Sequence, residues 1–375
     1  MAKRNCRWCC WGLLLMLLFS VVGVAQVQAA PLADMEYEEY RSQLELEYFL
    51  PFIMYDGVAV YATTYLRMSS ILRDQELDFI LVAAGDETLN LILGYTYHAP
   101  YWSYGLNFYQ MPVYAGVYWD LGFWEEQKGV SLLASRHYSN EDRLNLRMQW
   151  EHFEPLSDFR YPVDEASVFG VEATLTHDDY SFLRQAGARW YLSLGGAYPV
   201  LGTDYKNIKL EGDYRRYWSG KRTAFIVSAQ GGKILGHYPT HRGFVLGGIQ
   251  QVNIGNVGTI ANQGLLSTLA DTVLRGYPAC RYRGDGYVLA NLELRLLAWP
   301  RSWQQRYRTG FSLGVFTDAA WVWDGSQQVS ASPSLGAGAG FKLILGGLNL
   351  GFDYAVPLNT EDENPRWHFS LGEIF

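Results

Sequence analysis

The residues best placed to do chemistry in this chain are one arginine and two acids. Arg275 sits in the run Leu274-Arg275-Gly276-Tyr277, and Glu293 and Asp318 follow as lone acids on the polar faces of segments whose other faces are apolar. A guanidinium presents a planar fork of donors that carboxylates accept in pairs, and such charge-assisted bonds gain strength where the dielectric falls. The arrangement is that of a charged clasp inside a membrane barrel, able to pin a long loop that would otherwise be mobile. Lysine lacks the fork and would be a poor substitute at position 275. Standing alone, Arg275 would be one more solvated loop arginine; the flanking Gly276-Tyr277 and the two downstream acids favour the clasp.

The elements that must position these groups are short alternating strands. Val288, Ala290, Leu292, Leu294 and Leu296 share one parity, while Asn291, Glu293 and Arg295 share the other. Phe311, Leu313, Val315, Trp321 and Trp323 likewise oppose Ser312, Gly314 and Asp318. The pattern recurs upstream, where Leu144, Leu146, Met148 and Trp150 oppose Arg143, Asn145, Arg147, Gln149 and Glu151. Charge at mid-strand on the polar faces implies a hydrated lumen.

Hydrophobic residues make up 49% of the 375 and aromatics 15%. Even so, after residue 29 no stretch approaches the ~20 consecutive apolar residues of a spanning helix. Such a chain, if exported, is suited to a closed outer-membrane barrel, with a secreted β-sandwich as the competitor. Connection lengths favour the barrel. Counting back from the C-terminus they run long (Pro357 to Pro365), short (Gly346-Gly347), long (Asp324 to Pro333), short (Trp299 to Gln305) and very long (about Ile249 to Asp285). Gly346-Gly347 suits a two-residue hairpin turn, and Trp299 with Trp303 suits an interfacial girdle.

Export is written at the N-terminus. Lys3, Arg4 and Arg7 precede an apolar run from about Trp11 to Val24, and Val27-Gln28-Ala29 offers a cleavage site. We therefore expect a signal peptide over 1–29, a short periplasmic leader over 30–44, and a barrel over 45–375. Losing three basic residues takes the formal charge from −8 to −11, which argues against nucleic acid as a partner. Cys6, Cys9 and Cys10 leave with the signal, so Cys280 has no internal partner and the fold must stand without disulfides. Eleven strand segments precede the very long loop and five follow it, an all-β transmembrane antiparallel barrel of about 16 strands. The stretch Tyr118–Glu125 is the least defined boundary.

The stretch from Val273-Leu274-Arg275-Gly276-Tyr277 through Gly284-Asp285, then Asn291-Leu292-Glu293-Leu294-Arg295 and Phe316-Thr317-Asp318-Ala319-Ala320, resembles the C-terminal barrel of the BamA/TamA superfamily, also called the bacterial surface antigen family. The closing Phe369-Ser370-Leu371-Gly372-Glu373-Ile374-Phe375 is similar to that family's last strand, with Trp367, Phe369, Leu371 and Phe375 on one face as an assembly signal. Three departures from the family pattern are Leu274, Ala320 and the stretch from Ala30 to about Leu44, which is expected to leave no room for the family's periplasmic POTRA domain. The resemblance implies a loop folded into the lumen, Arg275 paired with Glu293 and Asp318, and a first-to-last seam that opens sideways; Gly372 either weakens the last strand at that seam or merely fits a crowded lumen.

Other candidates carry less. His237 and His241 have a helical ligand spacing, but Pro239 lies between them in strand-like sequence, so no metal is expected. Gly336-Ala337-Gly338-Ala339-Gly340 has its glycines on one parity, where small size would admit the loop. Arg283-Gly284-Asp285 matches an adhesion tripeptide inside the family-like loop, where chance is the better explanation. No serine, histidine and acid are selected by spacing, so we expect no enzyme and no cofactor. The expected role is protein insertion into, or translocation across, the outer membrane. Its partners would be outer-membrane lipid, a client protein and a periplasmic accessory protein. A passive porin-like channel and a structural surface protein are the alternatives.

Overall fold

The structure, a computed structural model, describes residues 43–371 except 56–59, 85–87, 119–120, 156–164, 181–185, 201–204, 239–242, 249–272, 279–280, 299–308, 326, 329–331, 346–347 and 360–363. The signal peptide, residues 30–42 of the leader, His241, Cys280, Trp299, Trp303, Gly372 and Phe375 lie outside the described residues.

Eleven strands run in succession before the long connection: β1 (Leu44–Tyr55), β2 (Val60–Ser70), β3 (Gln75–Ala84), β4 (Thr88–His98), β5 (Trp102–Tyr118), β6 (Leu121–His137), β7 (Asp142–Pro155), β8 (Ala166–Asp178), β9 (Gly187–Ala197), β10 (Lys206–Ser219) and β11 (Thr223–His237). The connection contains two short strands, β12 (Phe244–Leu246) and β13 (Tyr282–Gly284), which pair only with each other. Then follow β14 (Gly286–Leu297), β15 (Thr309–Asp324), the two-residue β16 (Gln327–Gln328), β17 (Ser334–Leu345), β18 (Leu348–Pro357) and β19 (Arg366–Leu371). Leaving aside β12, β13 and β16, sixteen strands pair antiparallel, each with the next, eleven before the connection and five after it. Among the described residues, β1 and β19 carry no ladder to one another.

Side-chain exposure separates barrel from sandwich. Val288, Leu292, Leu294 and Leu296 are 43–55% exposed, whereas Asn291, Glu293 and Arg295 on the opposite face are 2–4% exposed. A sandwich would bury the first set and solvate the second. Here the apolar residues form an outer belt that only hydrocarbon can satisfy, and the polar face is packed by protein. The lumen beside β14 is thus filled rather than hydrated, because the chain between β11 and β14 folds against it.

Two features differ from the sequence reading. Strands β5 and β6 each run 17 residues, well past the segments that alternation marks out. Their distal halves carry Gln110, Glu126 and Lys128 on the outward parity, joined by hydrogen bonds instead of aliphatic contact, so the apolar signal stops before the strand does. The long-short alternation of connections does not hold: 298–308 has 11 residues against 9 for 325–333 and 8 for 358–365, and the first six connections all have four residues or fewer. The connection 298–308 is also longer than the turn expected there.

Candidate functional site

Five neighbouring strands build one luminal site. Register places Asp318 opposite Asn291 and Phe316 opposite Glu293 across β14–β15. It places Gly336 opposite Asp318 and Gly338 opposite Phe316 across β15–β17. Asp353 of β18 lies opposite both Gly340 of β17 and His368 of β19. Because alternation is strict, all these residues share the inner face, and the row is a consequence of the pairing.

Arg275 enters this row from the long connection and is fully buried. Its Nε and Nη2 donate to the two oxygens of Asp318 at 2.9 and 2.8 Å, the parallel two-bond geometry of a fork on a carboxylate. Its backbone N–H also donates to Asp318 at 3.0 Å. Nη1 reaches Glu293 Oε2 at 3.0 Å and Asp353 Oδ2 at 3.4 Å. The guanidinium carbon lies 3.4 Å from the centroid of the Phe316 ring, which covers one of its faces. Glu293 in turn accepts from Arg295 Nε at 2.5 Å and meets Lys342 Nζ at 3.3 Å. Three cations therefore face three carboxylates, which is how so much charge tolerates burial.

The strand glycines make room for it. A Cβ on Gly336 would run into the carbonyl oxygen of Arg275, one on Gly338 would meet the Phe316 ring at 2.6 Å, and one on Gly340 would strike the Asp353 carboxylate. Gly276 adopts φ +97°, where L side chains are strained, and its backbone packs against Val356 and Pro357. The turn aims its N–H at His368 Nε2, 2.9 Å away, so this imidazole nitrogen acts as acceptor and is unprotonated. Tyr277 is buried, and its one hydroxyl proton is shared between two acceptors, Asn359 Oδ1 at 2.8 Å and Leu335 C=O at 3.1 Å.

Next to the charged row is a dry one. Phe244, Leu246, Leu274, Tyr277 and Tyr282 of the connection pack on Ile234, Tyr287, Leu289, Ala320 and Val322 of the wall. Two described pieces of the connection, 243–248 and 273–278, are tied by Leu274 N–H to Gly247 C=O and Gly248 N–H to Pro278 C=O, at 2.8 and 2.9 Å. The arrangement can hold a loop inside a barrel through matched charge on one side and apolar contact on the other.

The fold and the sequence have counterparts among known proteins. A family model for the Omp85 superfamily domain matches residues 32–375. The chain belongs to the Omp85 superfamily. Its fold is similar to BamA from Haemophilus ducreyi lacking POTRA domains 1–3, with TM-score 0.64 at 14% identity, over 88% of this chain and 70% of that one. It is also similar to CdiB from Escherichia coli, with TM-score 0.53 at 13% identity, and to CdiB from Acinetobacter baumannii, with TM-score 0.52 at 14% identity. Both likenesses span 83% of this chain, but only 58% and 55% of the two CdiB chains. Comparison with curated protein sequences gave no match.

Within this Omp85 barrel, the structure brings Arg275, Gly276, Tyr277, Glu293 and Asp318 into one cluster. Of the other residues singled out, Trp367 points outward and is 71% exposed, and Phe369 and Leu371 lie in β19. Arg283-Gly284-Asp285 is no free tripeptide. Gly284 lies against the Trp323 carbonyl, and Asp285 accepts from Lys233 Nζ at 2.6 Å. Among the described residues no group of His, Cys, Asp and Glu could hold a metal.

Sequence reasoning left out Asp353, Phe316, Lys342 and His368 as partners of Arg275 and its neighbours. A signal for Asp353 was present: the hairpin expected from Gly346-Gly347 sets Leu345 against Leu348, and counting outward from that pair puts Asp353 opposite Gly340, the register observed. Replacing Gly276 with valine should strain the positive-φ turn by about 1 to 3 kcal/mol. Limited proteolysis of the folded barrel should then cut the long connection sooner, and an unchanged rate would contradict this account of the turn.

Proposed function

We propose that this protein resides in the bacterial outer membrane and assists the insertion of proteins into it or their passage across it. In this reading the loop carrying Arg275 stoppers the lumen at rest. The observation that carries the reading is a fully buried arginine bound to carboxylates of β14, β15 and β18 within an Omp85 barrel. A passive pore has no need of a charged lock whose two halves come from different parts of the chain. The lock also touches the end of the sheet, through Asp353 on β18 and through the bond from Gly276 to His368 on β19.

The edges of β1 and β19 supply the second element. Unpaired main-chain groups on an edge strand accept an added strand, and the sides of β1 and β19 away from β2 and β18 are candidates for receiving one from a client protein. The outward Trp367 faces the surrounding lipid. A periplasmic accessory protein is the further partner of this reading, and no enzymatic step is part of it.

Photo-crosslinking from positions along β19 in living cells tests the proposal. A nascent outer-membrane or secreted protein captured beside Trp367 is the expected result, and a strand that captures only lipid would overturn it. The polar luminal face supports a porin-like channel as a second reading. Single-channel recording separates the two, since a steadily open wild-type pore belongs to the channel and a mostly closed barrel to the stoppered one.

A further inference from the structure

A second cationic site lies on the outer wall, away from the lumen. The turns between β4 and β5 and between β6 and β7 share the end of the barrel at which β1 begins and β19 runs out, the periplasmic end in the reading above. There Arg136 of β6 faces Trp102 across the ladder, and Tyr138 opens the following turn. The guanidinium carbon of Arg136 sits 5.7 Å from the Trp102 ring centroid and 5.2 Å from that of Tyr138.

This exposed guanidinium has no carboxylate within ion-pair distance among the described residues. The outward acid on the adjacent strand, Asp142, is taken by His177 Nδ1 and Ser139 Oγ, both at 2.8 Å. The two rings orient the Arg136 side chain, yet its N–H donors lack an anion. Interfacial aromatic residues favour the depth at which hydrocarbon gives way to headgroups, so the missing anion is one found at that depth.

The wall beside it supplies the apolar half. One step toward the barrel middle, Ala134 faces outward between Tyr104 and Leu146, whose larger side chains stand exposed on either side. The small residue leaves a trough that leads from Arg136 to the exposed Leu132, a run of about 13 Å along the strand. We propose that this trough and Arg136 bind one phospholipid of the periplasmic leaflet. Its phosphate accepts from the guanidinium, its glycerol region rests on Trp102 and Tyr138, and one acyl chain lies over Ala134. The site depends on the membrane-barrel reading and is independent of the stopper.

Native mass spectrometry of the full chain, released from detergent micelles doped with phosphatidylglycerol, reads the site directly. Wild type should keep one more lipid than Arg136→Ala, with retention falling about tenfold on loss of the charge-assisted bonds. Ala134→Leu, which fills the trough and spares the cation, should lower retention too. Lys221→Ala, a turn cation at the same end, should not, and neither should Arg275→Ala. Each variant must keep the heat-modifiable gel mobility of a folded barrel. Equal adducts on wild type and Arg136→Ala would overturn the site, as would full displacement by millimolar inorganic phosphate, which would mark a free-anion site. A wild type that carries no lipid at all would sink the membrane-barrel reading along with it.

Discussion

Arg275→Ala should turn a closed barrel into a flickering one and expose the long connection to protease. The substitution leaves Glu293 with two cationic neighbours, Arg295 and Lys342, but takes from Asp318 both bonds of the guanidinium fork. Asp318 is 1% exposed, so the loss falls on a carboxylate that water cannot easily reach while the loop stays docked. Removing one partner of a buried ion pair costs about 3 to 5 kcal/mol, which is roughly a hundredfold or more in the ratio of docked to undocked loop. The cheapest relief is for the loop to leave and water to enter. Arg275→Lys should fall between the two, because one ammonium can replace the charge but not the parallel bonds to Asp318. In Arg275→Ala combined with Asp318→Ala, the stranded acid is gone as well, so the double variant should lose less than the two single losses added together. Bilayer conductance and protease half-life both measure this, and wild-type values in both assays would show that the ion cluster does not hold the loop.

How much of this could be read from residues alone follows from what alternation encodes. Leu292, Leu294 and Leu296 had to be apolar because they face outward, and Glu293 and Arg295 were free to be charged because they do not, so both the strand and its inner face were legible. Arg275, Glu293 and Asp318 were legible for a different reason, since they recur in motifs resembling a known family. What alternation does not carry is register over several strands. Asp353 and His368 sit on polar parities, but their approach to Arg275 and Gly276 depends on four consecutive ladders, each of which must be placed without a slip. Phe316 was misleading in a simpler way. As an apolar residue on an inner face it breaks the pattern, and only the arginine lying on its ring explains why it is there. Strands β5 and β6 ran on unseen because beyond Phe108 the described outward side chains Gln110, Glu126 and Lys128 are polar, so alternation gives no apolar signal there.

Gly336→Val should unseat the same loop with every charge left in place. A Cβ at this position would collide with the carbonyl oxygen of Arg275, and the next atom in its path, the Arg275 carbonyl carbon, lies 3.1 Å away. Both obstacles are backbone, so no rotamer change relieves the contact and the segment Leu274–Tyr277 must move off the wall. Overpacking a filled interior costs about 1 to 3 kcal/mol and more where the neighbour cannot yield. Valine favours strands, however, and Gly336 already pairs with Asp318 on one side and Pro357 on the other, so the barrel itself should lose nothing. That asymmetry makes the variant informative. Arg275→Ala changes charge, and its phenotype could come from a wet, acidic lumen as easily as from a lost lock, whereas Gly336→Val keeps three cations against three carboxylates and changes only the space the loop occupies. Gly340→Val offers a comparison away from the loop, because there a Cβ would meet the Asp353 side chain and the Phe352 carbonyl oxygen of the neighbouring strand, and no atom of the segment Leu274–Tyr277 is among its nearest neighbours. The expected order of conductance and protease sensitivity is therefore Gly336→Val above Gly340→Val above wild type, with unchanged heat-modifiable mobility throughout. A Gly336→Val barrel as closed and as protease-resistant as wild type would mean that the loop does not seat on this strand, and the stopper would have to be sought elsewhere in the chain.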